Sequence, residues 1–246
     1  MKDYDNRHEL WARAHAAGSP VKFVRNAKVF IELDKLVPGN TLDAGCGTGE
    51  YSKFLLDRGH EVTAFDPSPV VIKKLMEKDG KELGIAIEVN TIEGFSSSKM
   101  FDNIISIEVF EHIESDQTAI KKLYSLLKKG GSMVISVPAT PFLYSKADTI
   151  SGHYRRYSYE GFMKLLTDAG LRELRIKRYG FPVLFVYSLI RKIWLDKILI
   201  NHFSSLSSSG SRKKALFLSK FYPFILAIDQ LNIPFWSVGY VARCKK

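Results

Sequence analysis

The sequence predicts a doubly wound α/β domain, a parallel sheet covered by helices on both faces. Three observations predict it. Strand and helix signals alternate from residue 41 onward. A glycine-rich stretch, "LDAGCGTGE" over 42–50, joins the first strand of that series to its helix. The segment "FDNIISIE" has the continuous apolar centre of a parallel strand buried on both faces. In such a sheet, ligands bind at the carboxyl ends of the strands.

Each element follows from its own pattern. "TLDAGC" reads as the first strand and "EYSKFLLDRG" as a helix stopped by Gly59. "EVTAFD" is a second strand, followed by a helix over 68–80, and "IAIEVN" is a third. After the fourth, "FDNIISIE", the stretch "SDQTAIKKLYSLLKKGG" is an amphipathic helix, capped by Ser115 or Asp116 and stopped by Gly130-Gly131. "SMVISVP" is a fifth strand, and "YSYEGFMKLLTDAG" is a helix ending at Gly170. "LRELRIKRYG" and "SVGYVARCKK" are two closing strands. Residues 181–236 separate them, far too many for a hairpin turn, and are read as a helical insert. Its first apolar run is broken by Arg191, Lys192, Asp196 and Lys197, which argues against a membrane span. Residues 1–40 are expected to form a leading helical segment near the ligand, so that 1–246 make one domain.

The balance of 46% hydrophobic and 25% charged residues is that of a globular protein. The charged start "MKDYDNRHEL" has no apolar run, so no signal peptide is expected. Cys46 and Cys244 form no CxxC pair, which argues against a disulfide framework or a cysteine zinc site and suits a cytoplasmic location. Residues 1–150 carry a net charge of −2 and residues 151–246 carry +12. That basic excess suits nucleic acid, an anionic membrane or a phosphorylated substrate, or is simply a solvated surface.

The glycine loop matches GxGxG rather than the full GxGxxG of dinucleotide enzymes. Its glycines permit close approach to a ligand at a helix N-terminus, or merely a tight strand–helix turn. Asp66, 21 residues after Gly45, ends the second strand where a carboxylate can accept both hydroxyls of a ribose. Nicotinamide enzymes use the same device, so loop and carboxylate alone do not identify the nucleotide.

The later segments discriminate. "LDAGCGTGE", "AFDPSP", "FDNIISIEVFEHI" and "LLKKGGSMVISVP" occur in order across residues 41–138. Together they resemble the first, second and fourth motifs and the following helix–strand signature of the class I S-adenosylmethionine-dependent methyltransferases. The likeness covers roughly residues 20–180 and the last strand, not the insert. It implies a Rossmann-like seven-stranded sheet with an antiparallel last strand, and S-adenosylmethionine as cofactor. "NTIEG" before the fourth motif, with Arg25 twenty residues before Gly45, is most similar to the ubiquinone-biosynthesis O-methyltransferases. By that resemblance Arg25 pairs with the methionine carboxylate, Gly45 and Gly47 border the methionine part, Asp66 holds the ribose, and Ile92, Glu93 and Ile107 flank the adenine. Asp43, Cys46 and Pro67, around the ends of the first two strands, complete the expected cofactor site. Thr48 departs from the family's usual small residue. The alternative for Arg25 is a surface arginine.

A sulfonium methyl is already electrophilic, so the protein must chiefly align the acceptor and exclude water. A hydroxyl acceptor must also lose a proton, which calls for a base or a metal. In "EVFEHI", a helical turn would put Glu108, Glu111 and His112 on one face, a set able to bind Mg2+ or a similar ion. The resemblance supports such a cluster, because ubiquinone and small-RNA methyltransferases use ExxEH as metal ligands. His153 in "SGHYRRYS" is a further candidate ligand. Otherwise His112, Glu111 and His153 act as base or substrate contact, or are structural. Tyr154, Arg155 and Arg156 suit an anionic substrate, or pair with the protein's own carboxylates.

The insert follows the sixth strand and is expected to cover the acceptor pocket. Phe181, Phe185, Tyr187, Trp194, Phe221, Tyr222, Phe224 and Trp236 line an apolar pocket, face a membrane or pack into the core. The resulting expectation is a methyltransferase acting on a small or lipid-like acceptor, with O-methylation preferred and peripheral membrane contact allowed. An RNA methyltransferase is the first rival, although nucleic acid is disfavoured because no RNA-binding module is evident. A nicotinamide oxidoreductase and a non-catalytic cofactor-binding regulator are the others.

Overall fold

The computed structural model describes residues 20–79, 84–202, 228 and 236–246, with the side chains of 78–79 and 194–202 left aside. In chain order the elements are α1 (Pro20–Leu33), β1 (Asn40–Ala44), α2 (Glu50–Leu56), β2 (Glu61–Asp66), α3 (Pro69–Asp79), β3 (Ala86–Val89) and β4 (Phe101–Ile107). Then come α4 (Asp116–Leu126), β5 (Leu127–Pro138), α5 (Lys146–Ile150), α6 (Tyr159–Asp168), β6 (Arg172–Tyr179), α7 (Val183–His202) and β7 (Gly239–Lys245).

The seven strands form one sheet in the order β3-β2-β1-β4-β5-β7-β6. The β1–β2, β2–β3, β1–β4 and β4–β5 pairs are parallel. β7 runs antiparallel to both β5 and β6. Strand order reverses between β1 and β4, so the loops after these two strands meet at the switch point where such sheets bind ligands.

The strands' period of two builds two cores. Leu42, Ala44, Phe65 and Ile104 face α4 and α6, where Ile120, Leu123, Phe162 and Leu165 are buried. Ala64, Ile105, Ile107 and Val134 face the opposite layer, with Val24, Val29 and Leu33 of α1, Leu55 of α2 and Leu75 of α3. α1 also packs on β5, β6 and β7. There Glu32, 1% exposed, meets Lys35 at 2.7 Å, Lys177 at 2.8 Å and Arg243 at 3.0 Å. Burial opposes its charge, but these three partners prevail and lower its pKa to about 2.

The fourth helix ends earlier than its glycines suggest. α4 stops at Leu126, and Leu127 already pairs with Phe101, before a register break that resumes at Asn103 and Ser132. Fully buried Leu127 is worth more in the core than one further helical turn, so Gly130-Gly131 lie inside an irregular strand. In the segment after β6, Phe185 is buried and its ring lies 4.9 Å from Trp236. Tyr187 is exposed. Phe221, Tyr222, Phe224 and residues 1–19 lie outside the described residues, as does the Trp194 side chain. No helix of the described residues is long and apolar enough to cross a membrane.

Candidate active site

β1 ends where Gly45 turns to φ +86°, and the chain reaches α2 through Gly47 at φ +52°. The two glycines serve different ends. A side chain on Gly45 would meet Val109 Cγ2 at 2.5 Å, so the β1 loop and the β4 loop lock together here. Around Gly47 nothing lies within 4 Å of the added atom, leaving that backbone open to a ligand. The amides of Gly45 and Cys46 both donate to the Phe65 carbonyl at 2.9 Å.

Asp66 closes β2 as a held carboxylate. The Gly47 amide donates to its Oδ2 at 3.0 Å and the Ser68 amide to its Oδ1 at 2.9 Å. Asp43 lies buried nearby and accepts a 2.6 Å bond from Ser52 Oγ. Burial first, with Asp66 adding to it against the Ser52 bond, pushes the Asp43 carboxyl up to about 7. Pro67 follows Asp66 at the carboxyl end of β2. Buried Ile92 and exposed Glu93 follow β3, and buried Ile107 ends β4. The expected cofactor residues of the strands therefore share one sheet edge.

Arg25 is no surface residue. It is 8% exposed on α1, and its Nη1 donates to Glu108 Oε2 at 3.1 Å. Its buried Nε has no partner among the described residues. Burial works against its charge, but Glu108, Tyr51 and Tyr179 outweigh it and hold the guanidinium firmly protonated.

Glu108 does not share a helical face with Glu111 and His112. Its φ is +57°, and only Phe110–His112 form a 3₁₀ turn. Ser136 Oγ donates to Glu108 Oε1 at 2.6 Å, so this carboxylate belongs with Arg25 and β5. His153 stands in its place. Ligand atoms of Glu111, His112 and His153 lie within 4.8 Å of one another, and the two imidazoles meet edge to face at 4.6 Å. Glu111 is 1% exposed, and neither of its carboxylate oxygens has a partner among the described residues. Burial first, then repulsion by Glu108, raises its pKa well above the carboxylate range.

A buried carboxylate with open oxygens beside two imidazoles fits a divalent cation, which would supply the missing partner. One oxygen ligand and two nitrogens suit a borderline transition ion such as Zn2+. They suit Mg2+, a hard ion that prefers oxygen donors, less well, and Glu108 of the expected Mg2+ set is instead paired with Arg25 and Ser136.

The segment 153–157 clamps this turn. The Tyr154 amide donates to the Glu111 carbonyl at 2.7 Å, while the Tyr154 side chain is exposed. Arg155 pairs with Asp116 at 2.8 Å and donates to the Glu114 carbonyl at 2.7 Å. Arg156 donates from Nε to Asp148 Oδ1 at 3.0 Å and from Nη1 to the Ala139 carbonyl at 3.3 Å. Tyr157 Oη donates to the Phe110 carbonyl at 3.1 Å or Asp116 at 2.9 Å. Both arginine forks are thus engaged by the protein's own carboxylates. Asp148 is the residue the sequence reading passed over. Its signal was the S-x-x-D capping box of Ser145 and Asp148, five residues before His153.

Comparison with known proteins agrees with this architecture. Residues 12–184 match a family described as a methyltransferase domain. The chain is 27% identical over 180 residues to a malonyl-[acyl-carrier protein] O-methyltransferase of Ilyobacter polytropus, covering 71% of this chain and 63% of that protein. It is 30% identical over 179 residues to a ubiquinone biosynthesis O-methyltransferase of Rickettsia canadensis, covering 66% of this chain and 73% of that one. A Thermotoga maritima structure, described as a possible histamine N-methyltransferase, superposes with a TM-score of 0.59 at 17% identity, covering 98% and 95% of the two chains. The antiparallel β7 between β5 and β6, absent from a plain dinucleotide domain, points the same way. The chain belongs to the methyltransferase-domain family and is a class I S-adenosylmethionine-dependent methyltransferase.

Proposed function

We propose that the enzyme methylates a hydroxyl of a small or lipid-like acceptor in one displacement, with Glu111, His112 and His153 at the acceptor end. The observation that carries this reading is the buried Glu111 carboxylate, with no partner among the described residues, beside two imidazoles. An amine acceptor needs only to arrive neutral, whereas a hydroxyl needs its proton removed, and this cluster suits that task. The names of the Ilyobacter and Rickettsia relatives, both O-methyltransferases, agree.

On this reading Asp66 holds the cofactor's ribose, Gly45 and Gly47 border its methionine part, and Arg25 takes the methionine carboxylate. Ile92, Glu93 and Ile107 flank the adenine, with Asp43, Gly45, Cys46 and Pro67 shaping the loops around it. The acceptor oxygen attacks the methyl carbon as the C–S bond breaks, and S-adenosylhomocysteine leaves. Glu111, His112 and His153 would hold a divalent ion, which polarises the hydroxyl and eases loss of its proton when bound. α7 leaves Val186, Ile190 and Ile193 exposed, and Lys192 reaches the Phe142 carbonyl just beyond β5. That apolar face beside the carboxyl edge suits an acceptor with a hydrocarbon part and peripheral membrane contact. The two free, buried cysteines suit the cytoplasm.

The test begins with calorimetric titration of S-adenosylhomocysteine, with NADH as control. Labelled methyl transfer from S-adenosylmethionine is then followed to matched hydroxyl and amine acceptors, with Zn2+, Mg2+ or a chelator present. Transfer to hydroxyls that the chelator abolishes and Zn2+ restores is expected. Transfer to amines alone, indifferent to metal, would sink the proposal.

A further inference from the structure

Ser145, His153 and Arg156 converge on the buried carboxylate of Asp148. Ser145 donates from its amide at 2.9 Å and from its hydroxyl at 3.0 Å, both to Oδ2. Arg156 Nε and His153 Nδ1 lie 3.0 and 3.1 Å from Oδ1. The two oxygens thus divide their work: one caps α5, and the other receives the side chains that follow it. The edge-to-face neighbour of the His153 ring is His112.

The geometry points to Asp148 as a positioning residue that fixes the tautomer and orientation of His153. This inference rests on the reading of Glu111, His112 and His153 as the acceptor-end cluster. An ionised carboxylate only accepts hydrogen bonds, so the nitrogen facing it must carry the proton. His153 is thereby held as the Nδ1–H form, with the Nε2 lone pair left for a ligand or for an acceptor's proton. Arg156 keeps that carboxylate ionised. It also ties Asp148 to the Ala139 carbonyl just beyond β5, so the imidazole is aimed from the sheet edge rather than from a loose loop. Carboxylates behind metal-binding or catalytic histidines act in this way.

A merely structural Asp148 would cap α5 and nothing more. Ser145→Ala removes one of the two Oδ2 donors and leaves Oδ1 with its partners. Asp148→Ala removes both functions. The decisive readout is the pair of ring nitrogen shifts of His153 in protein labelled with 15N-histidine. The signal is assigned by its loss in His153→Gln, and the spectra are recorded on the metal-free chain at pH 8. The wild type and Ser145→Ala should show a protonated Nδ1 and an unprotonated Nε2. Asp148→Ala should lose that preference and, on the same samples, bind Zn2+ about 10–100-fold more weakly by calorimetry. A wild-type His153 protonated at Nε2 would overturn the inference, and so would a Ser145→Ala spectrum as altered as that of Asp148→Ala. If Asp148→Ala does not fold, the wild-type spectrum still decides. The functional reading fails separately: a correct tautomer with methyl transfer unaffected by His153→Gln would sink that reading and leave the role of Asp148 intact.

Discussion

Arg25 Nη1 and Glu108 Oε2 meet at 3.1 Å across 83 residues of chain, joining the leading helix to the end of β4. The guanidinium proposed for the cofactor's carboxylate thus already holds a carboxylate of the protein. Arg25→Ala is expected to weaken S-adenosylhomocysteine binding about 10–100-fold, as loss of a charge-assisted pair does. Glu108→Gln keeps an acceptor for Ser136 and frees the arginine, so affinity should hold or rise. Calorimetry on both variants checks this. An equal loss in both would mean that the ion pair, rather than the arginine, supports the site.

Gly45 and Gly47 should separate stability from binding. Gly45→Ala drives a methyl into Val109 at a positive φ and should cost about 2–4 kcal/mol of stability. Gly47→Ala meets open space and should cost only about 1–2 kcal/mol from backbone strain. Its larger effect should fall on cofactor affinity. Denaturant melts and S-adenosylhomocysteine titrations of the two variants would reverse this ranking if the Gly47 backbone does not face the cofactor.

Glu111 should reveal itself by what it costs when unpartnered. At pH 8 and without metal, Glu111→Gln should be as stable as the wild type or more so, because the cost of burying a carboxyl with no partner among the described residues is removed. Zn2+ at 100 times its dissociation constant should stabilise the wild type by about 2.7 kcal/mol and leave the variant unmoved. Mg2+ should do little to either. Equal stabilisation of both proteins by Zn2+ would place the ion elsewhere.

Asp43 makes stability depend on pH near neutrality. Its pKa is raised to about 7 from an ordinary 3.8, so the folded state holds the proton more tightly than the unfolded chain. Its stabilising share is fully present below 3.8 and is lost as pH rises through 7. The cofactor-free wild type should lose about 2–4 kcal/mol to this group between pH 4 and 8. Asp43→Asn should escape that loss. Denaturant titrations at the two pH values test it, and parallel curves for both proteins would contradict it.

The alternation of strands and helices, the glycine loop and Asp66 at the end of β2 were legible in the sequence. Each is a local matter: periodicity, a turn needing positive φ, and a carboxylate placed by the strand that carries it. The two closing strands were legible too, but their places in the sheet were not. β7 enters between β5 and β6 through pairings that no short window of sequence contains. The proposed acceptor end divided along the same line. Glu111, His112 and His153 were named from residue type, yet helical spacing grouped Glu108 with them. The chain instead turns at Glu108 to φ +57°, handing its carboxylate to Arg25 and Ser136. For Arg155 and Arg156 the residue types allowed either an anionic substrate or the protein's own carboxylates, and the fold pairs them with Asp116 and Asp148. Sequence by itself determined which groups were available and on which strand ends they stand. Only the tertiary structure decided their partners, because a charge in a dry interior takes whichever opposite charge the packing brings near, however distant in the chain.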